Sequence, residues 1–412
     1  MKRERTQETT TIRAAVNTRY GPPDVVEVRQ VPKPEPHAGE VLIRVHATTV
    51  SRTDCGMRRP HPWFVRLVAG LLRPKLTILG MDFAGEVEAV GAGVTAFKPG
   101  DRVFGMSPDV YGAHAEYLCM PEQGAIAAMP AGVHFSQAVV CEAAWYADTY
   151  LRAFRIKPGQ SVLIYGASGA IGTAAVQLAK SYGARVTAVA ATQHLDLVKS
   201  LGADRAVDYT AQDFTQIGET FDFVFDAVGK TTYFRCRRLL KPEGVFAATD
   251  LGPWCQNPLL TLLSSITRSH RVIFPLPQSG KAKAFVEFLK TRMVAGECRA
   301  VIDSEYPLEA IADAYRYVET EQKTGIVVIS IGRSAGKCLE NCASSRASIR
   351  DFIARYSFGR SASGRSSQGA KALASTKAMT SAVGLEGLPG SFNDGKETKK
   401  PGAPSSAGRA HN

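Results

Sequence analysis

Ser161–Ala184 reads SVLIYGASGAIGTAAVQLAKSYGA, and this stretch decides the fold. Val162-Leu163-Ile164-Tyr165 is an apolar run as long as one buried parallel strand. Gly166-Ala-Ser-Gly169-Ala-Ile-Gly172 follows at once, then a helical pattern with small residues at Ala174, Ala175 and Ala179. Strand, glycine turn and helix together predict a phosphate-binding βα unit. Backbone can approach a pyrophosphate at Gly169, helix and strand can pack closely at Gly172, and the helix N-terminus faces the anion. A glycine trio alone is weak evidence, but here it follows a strand and opens a helix, as the mechanism requires.

Working outward, Arg185-Val-Thr-Ala-Val-Ala190 reads as the second strand of a βαβ unit, and Phe221-Asp-Phe-Val-Phe-Asp226 as a further strand running into Ala227-Val228-Gly229. Strands alternating with helices at this spacing predict a doubly wound parallel sheet that binds a dinucleotide. Before it, Thr11 to about Pro130 reads as short strands separated by turn residues. Ala14–Val16, Val25–Val28, Glu40–Ala47, Gly80–Gly91, Arg102–Gly105 and Ala115–Met120 predict an irregular all-β domain. After it come an expected helix from Thr232 to Leu240, a turn at Lys241-Pro-Glu-Gly244 and a strand at Val245–Thr249. Amphipathic helices are expected over Gly280–Ala295 and Leu308–Thr320, and a last strand over Lys323–Ser330. No internal repeat is visible.

The 412 residues carry a net charge of +12, unevenly placed. From Arg333 to Asn412 there are 13 Lys and Arg against 5 Asp and Glu, so +8 belongs to this segment and only +4 to the rest. Ser, Gly and Ala dominate there, with little apolar periodicity, which predicts disorder. A role in nucleic-acid binding is conceivable only through that basic tail. No apolar run approaches the roughly 20 residues needed to span a bilayer. The N-terminus has charges but no apolar core like a secretory signal, and Glu4 and Glu8 interrupt the basic pattern of a mitochondrial presequence. Eight scattered cysteines with no Cys-x-x-Cys argue against a disulfide framework or a structural zinc lobe and fit a reducing cytosol. A cytoplasmic location is expected.

Four motifs taken together carry a resemblance: Gly80-x-Asp82-x-x-Gly85-x-Val87-x-x-Val90-Gly91, Lys98-Pro-Gly-Asp-Arg-Val103, Ala167-Ser-Gly-Ala-Ile-Gly172 and Asp226-Ala-Val-Gly229. From roughly residue 12 to 332 the chain resembles the medium-chain dehydrogenase/reductase superfamily, in its zinc-independent quinone oxidoreductase-like branch. The resemblance implies an α/β protein. A GroES-like irregular β-barrel catalytic domain would span 1–135, completed by about 286–332, a Rossmann NAD(P)-binding domain 136–285, and the disordered tail 333–412. It implies a homodimer, often joined at the edge of the cofactor sheet, for which Ser269–Phe274 is a candidate strand.

Catalytic zinc in the alcohol dehydrogenases of this superfamily needs a thiolate, an imidazole and a second thiolate. The segments that supply the first two read here Ser51-Arg52-Thr53-Asp54 and Gly80-Met81-Asp82, and only Cys141 falls at the third place. No zinc is therefore expected. The resemblance places Ser51 and Asp54 in the catalytic loop, with Asp54 read as orienting it, and Arg58 at a matching basic position. Trp145 and Tyr146 would stand near the nicotinamide, and Tyr111 is a further candidate wall residue. Pro60–Lys75, longer than the usual family loop, is a candidate apolar lid or packing helix.

The cofactor would contact Ser168, Gly169, Ala170, Ile171 and Gly172, then Thr192, His194 and Tyr209, then Ala227, Val228, Gly229 and Leu251. An NAD enzyme places an acid at the end of the second strand. Here Ala190-Ala-Thr-Gln-His194 has none, and Asp196 comes too late. NADPH-using members pair a Lys in this loop with a downstream Tyr, and His194 and Tyr209 fall at those places, so NADPH is favoured over NADH. The expected activity is hydride transfer from NADPH to a quinone, enone or related conjugated carbonyl. The alternatives are an alcohol or aldehyde dehydrogenase and a non-catalytic NADPH-binding protein whose tail binds RNA or a partner.

Overall fold

The computed structural model of the chain describes residues 10–60, 65–264 and 271–332. The expected tail, Cys338, Cys342 and the lid residues Trp63 and Phe64 lie outside these. β1 (Thr11–Val16) and β2 (Glu27–Pro32) form an antiparallel pair. The strand expected at Val25–Val28 begins two residues late, because Pro23–Val25 forms a 3-10 turn, for which Pro23 sets the backbone. β3 (Glu40–Val50), β4 (Asp82–Val90), β5 (Arg102–Met106), β6 (Tyr117–Pro121) and β7 (Ile126–Ala128) supply most of a mixed sheet.

The second sheet is made of β8 (Ser161–Tyr165), β9 (Arg185–Ala190), β10 (Arg205–Asp208), β11 (Phe221–Asp226), β12 (Leu240–Ala248) and β13 (Arg271–Ile273). Its order is β10-β9-β8-β11-β12-β13, and every pairing in it is parallel. This is the Rossmann arrangement, with the strand order reversing beside β8. β14 (Ile302–Pro307) and β15 (Ile326–Ser330) return to the first sheet, whose order is β14-β15-β3-β4-β5-β7, with β6 also on β3. This is the GroES-like domain. Glu40–Ala47, which alternates in sequence, is buried along most of β3 because β4, β6 and β15 all pair with it.

Two expectations are corrected. The helix over Thr232–Leu240 shrinks to Tyr233–Cys236 and a 3-10 turn at Arg237–Leu239. Lys241–Gly244, expected as a turn, bulges out inside β12, since Leu240 faces Phe221 and Val245 faces Phe223 across the ladder. The helix expected over Gly280–Ala295 runs Ala282–Val294, and that over Leu308–Thr320 runs Ile311–Glu319.

The long helix Cys141–Phe154 ties the two sheets together. Its Tyr150 stacks on Phe225 at 4.9 Å and its Phe154 on Phe223 at 4.8 Å, while Tyr150 donates to the Ala248 carbonyl at 2.8 Å. Each such buried aromatic contributes roughly 1.5–3 kcal/mol. The other end of that helix is held by the catalytic sheet: Asp82 Oδ1 on β4 accepts from Glu142 N at 2.8 Å, capping an end whose own residues provide no side-chain cap.

Candidate active site

The glycine turn behaves as its sequence implies. β8 ends at Tyr165, Gly166 turns with φ +73°, and Gly169 precedes the helix Ala170–Ser181. A Cβ on Gly172 would lie 2.2 Å from the Gly166 carbonyl oxygen and 2.8 Å from Ala167 Cα, so only glycine lets helix and turn close up here. A Cβ on Gly169 would meet nothing nearer than 3.4 Å, which leaves its backbone open to an incoming group. The cradle therefore fits a dinucleotide pyrophosphate.

Beside it, the buried Asp226 carboxylate accepts from Val228 N at 3.1 Å, Gly229 N at 2.9 Å and Thr231 N at 2.7 Å, fixing the Ala227–Gly229 turn. Burial pushes its carboxyl up to about 6 against those three donors. Ser168 reaches the catalytic domain, its carbonyl accepting from Gly325 N at 2.8 Å. Ala170 and Ile171 open the helix, and Leu251 lies just beyond β12, where its carbonyl accepts from Asn257 N at 3.0 Å.

The end of β9 holds a surprise. Thr192 Oγ1 donates to Asp208 Oδ2 at 2.6 Å, and Asp208 at the end of β10 is the ladder partner of Ala190. An acid that the end of β9 lacks thus arrives from the neighbouring strand. His194 Nε2 lies 3.2 Å from Thr324 Oγ1, within hydrogen-bond distance. Tyr209 is exposed, with its ring 6.0 Å from that of Tyr165.

On the catalytic side, Ser51 caps the helix Arg52–Arg58, accepting from Asp54 N at 3.1 Å while its Oγ donates to Asp54 Oδ2 at 2.9 Å. Asp54 Oδ2 also accepts from Ser51 N at 2.8 Å, and Oδ1 from Gly80 N at 3.0 Å. With Oδ2 engaged by Ser51 and Oδ1 by Gly80, the fully buried Asp54 holds Ser51 in place. Arg58 is fully buried and pairs with Glu319 and the Gly21 carbonyl, so this basic side chain is structural. Trp145 is packed in the main core. Tyr146 is half-buried beside it, in hydrogen-bond contact with Thr53, and burial together with Glu142 pushes its phenol up. Tyr111 is buried at φ +56°.

The strongest electrostatic feature was not singled out from the sequence. Glu142, 6% exposed, faces the hydroxyls of Thr53 and Ser51, yet its Oε2 is buried without a hydrogen-bond partner. Burial and then the Asp54 carboxylate push its carboxyl up to about 7. Asp82 is pushed well up by burial and by Glu142. Across from them stands Lys323, lowered to about 8 by burial, with Asp303 and Glu142 as its nearest opposing charges. Its Nζ donates to the Gly325 carbonyl at 2.6 Å. The turn Lys323–Gly325 that carries it touches Ser168 and His194 of the cofactor domain. Carboxyl, hydroxyls and ammonium thus meet where the two domains touch. The available signals were an acid in the small-residue run Cys141-Glu-Ala-Ala and a Lys two residues before the Gly that opens β15.

The sequence pattern of the alcohol dehydrogenase GroES-like domain matches residues 37–131, and that of zinc-binding dehydrogenases residues 201–329. The chain is 30% identical over 329 residues to the NADPH-dependent alkenal/one oxidoreductase, chloroplastic, of Arabidopsis thaliana, covering 77% of this chain and 79% of that protein. It is 29% identical over 313 residues to human quinone oxidoreductase, covering 73% and 91%. The solved quinone oxidoreductase from Coxiella burnetii superposes with a TM-score of 0.69 at 27% identity, covering 78% and 99%. The chain belongs to the medium-chain dehydrogenase/reductase superfamily, in its quinone oxidoreductase-like branch. It is an oxidoreductase of this NAD(P)-dependent family.

Proposed function

We propose that this member of the family is a zinc-independent reductase that uses NADPH to reduce a quinone, an enone or a related conjugated carbonyl. The observation that carries the reading is the contact of the glycine cradle, through Ser168 and Gly325, with a polar floor made by Ser51, Thr53, Glu142 and Lys323. The nicotinamide, when bound, supplies the hydride. The chain's own work is to hold the acceptor over that floor, to keep water from the reacting carbon, and to hydrogen-bond the carbonyl oxygen as charge builds on it.

The donor set does not fit catalytic zinc. The Ser51 hydroxyl is engaged by Asp54, Met81 is packed in the core, and burial pushes the Cys141 thiol well up. NADPH is favoured by the name of the Arabidopsis relative and by Tyr209 on the open side of the loop. Asp208 opposes it, so the preference over NADH is expected to be modest. We further propose the division 1–135 with 286–332 for the catalytic domain, 136–285 for the cofactor domain, and a homodimer joined at β13, an edge among the described strands. Six free cysteines among the described residues suit a cytoplasmic setting, and no described helix is long and apolar enough to cross a membrane.

Initial rates of NADPH and NADH oxidation with a quinone, an enone and a simple aldehyde, each with and without chelator, test the reading. NADPH oxidation by quinone or enone that chelator leaves unchanged is the expected result. Chelator-sensitive turnover of aldehyde alone would replace it with an alcohol dehydrogenase.

A further inference from the structure

We infer that Glu142 is the proton donor of the reductive half-reaction on enones, with Lys323 as the residue that holds its charge afterwards. The inference rests on the reductase reading and assigns the one chemical role left open there. Hydride addition to the β-carbon of an enone moves the π electrons onto the carbonyl, leaving an enolate. Carbon–hydrogen bond formation at the α-carbon then needs a proton from an acid beside the reacting plane. The Glu142 carboxyl gives that proton and becomes a carboxylate, and solvent water returns a proton to it before the next turnover. Two electrons leave the cofactor and enter the substrate, so the balance closes.

Three geometric facts place Glu142 in that role. First, it is fixed from behind by its own backbone N–H to Asp82, so the side chain projects from an anchored helix end. Second, its carboxyl sits among Ser51, Thr53 and Tyr146, the last of which is expected near the nicotinamide. Third, its Oε2 is buried with no partner, although most buried polar atoms in proteins have one. That oxygen is not committed to any protein group.

The charges that face it set its behaviour. Asp54 on the neighbouring helix and Asp82 on β4 oppose its ionisation, and Tyr111 and Tyr146 add phenols nearby. Lys323, ahead of β15, is the facing cation, and Arg52 lies beyond it. Burial with two acids keeps the carboxyl protonated near neutrality, and the ammonium makes release of the proton possible. Among the described residues, Glu142 and Lys323 act on each other through their charges without a direct ion pair.

The test uses the full chain and Glu142→Gln. In deuterium oxide, the wild-type protein with NADPH and an α-substituted enone is expected to place deuterium on one face of the α-carbon. E142Q is expected to turn over about 10²-fold more slowly and to scramble deuterium over both faces. An unchanged rate, or slow turnover that still deuterates one face, would overturn the assignment. A second readout needs no cofactor: infrared titration of the cofactor-free protein is expected to show a carboxylic acid band that disappears near neutral pH and is missing from E142Q. Should that variant fail to fold, Lys323→Met leaves Glu142 in place and is expected to move the same band to higher pH. A band that does not move would refute the pairing. A wild-type protein that reduces no enone at all defeats the reductase reading itself, which sets that failure apart from a failure of Glu142.

Discussion

A paired substitution separates the two jobs of the glycine turn. Gly172→Ala puts a Cβ 2.2 Å from the Gly166 carbonyl oxygen, and the obstacle is backbone on both sides. The helix must move by about 0.8 Å before that contact reaches even the 3.0 Å floor of real structures. Overpacking of this kind costs about 1–3 kcal/mol. For a unit of this size each kcal/mol lowers the melting temperature by roughly 2–4 °C. Gly169→Ala meets nothing nearer than 3.4 Å, at a φ of −74° that alanine adopts freely. It should leave the cofactor-free melting temperature within about 2 °C, because surface changes of this kind stay within about 0.5 kcal/mol. Yet it fills the space through which backbone would approach the pyrophosphate, so NADPH affinity should fall about tenfold or more, in line with the about 1.4 kcal/mol that a single lost close contact represents. Thermal unfolding with and without NADPH, joined to a fluorescence titration of the cofactor, reads both. A G172A protein as stable as wild type would refute the packing argument, and a G169A protein that binds NADPH normally would refute the approach argument.

Asp208→Asn should raise the ratio of NADPH to NADH in kcat/KM, because it removes the carboxylate that Thr192 holds beside the end of β9; a ratio that falls or stays fixed would mean the 2′-phosphate lies elsewhere. Asp226→Ala leaves three backbone N–H groups at Val228, Gly229 and Thr231 without their acceptor and should cost about 2–4 kcal/mol, read by chemical denaturation, with cofactor affinity reduced as the turn loosens. The raised Glu142 carboxyl carries a stability signature of its own. Because its folded pKa lies above its unfolded one, the folded state binds more protons between the ordinary glutamate range and about 7, so stability falls as pH rises through that window. E142Q should flatten this slope in melting temperature against pH, and an equally steep slope would mean another group is responsible. Glu321→Ala removes the partner of Arg52 and Lys230 on a partly exposed residue, so its effect on stability should stay below about 1 kcal/mol and shrink further in salt.

What was legible and what was not divides along a physical line. The Val162–Tyr165 run, the glycine spacing and the helix after it are local, because a strand, a tight turn and a helix each depend on residues near in sequence; the same holds for the Ser51–Asp54 capping box. The Lys241–Gly244 bulge escaped because its cause is the length of β11, which demands that Leu240 pair with Phe221. Asp208 escaped because the end of β9 was read alone, while in a parallel sheet the neighbouring strand ends at the same height and offers its own side chain. Glu142 and Lys323 are the sharpest case. They stand 181 residues apart, and neither has an unusual local context, since a Glu in a helix and a Lys in a turn are ordinarily solvated. Their properties come from desolvation, which exists only once the helix Cys141–Phe154 has packed against both sheets and the Lys323–Gly325 turn has closed on Ser168. Sequence patterns report which residues prefer to be buried; a group buried against its preference, as Glu142 is, shows only in the assembled fold.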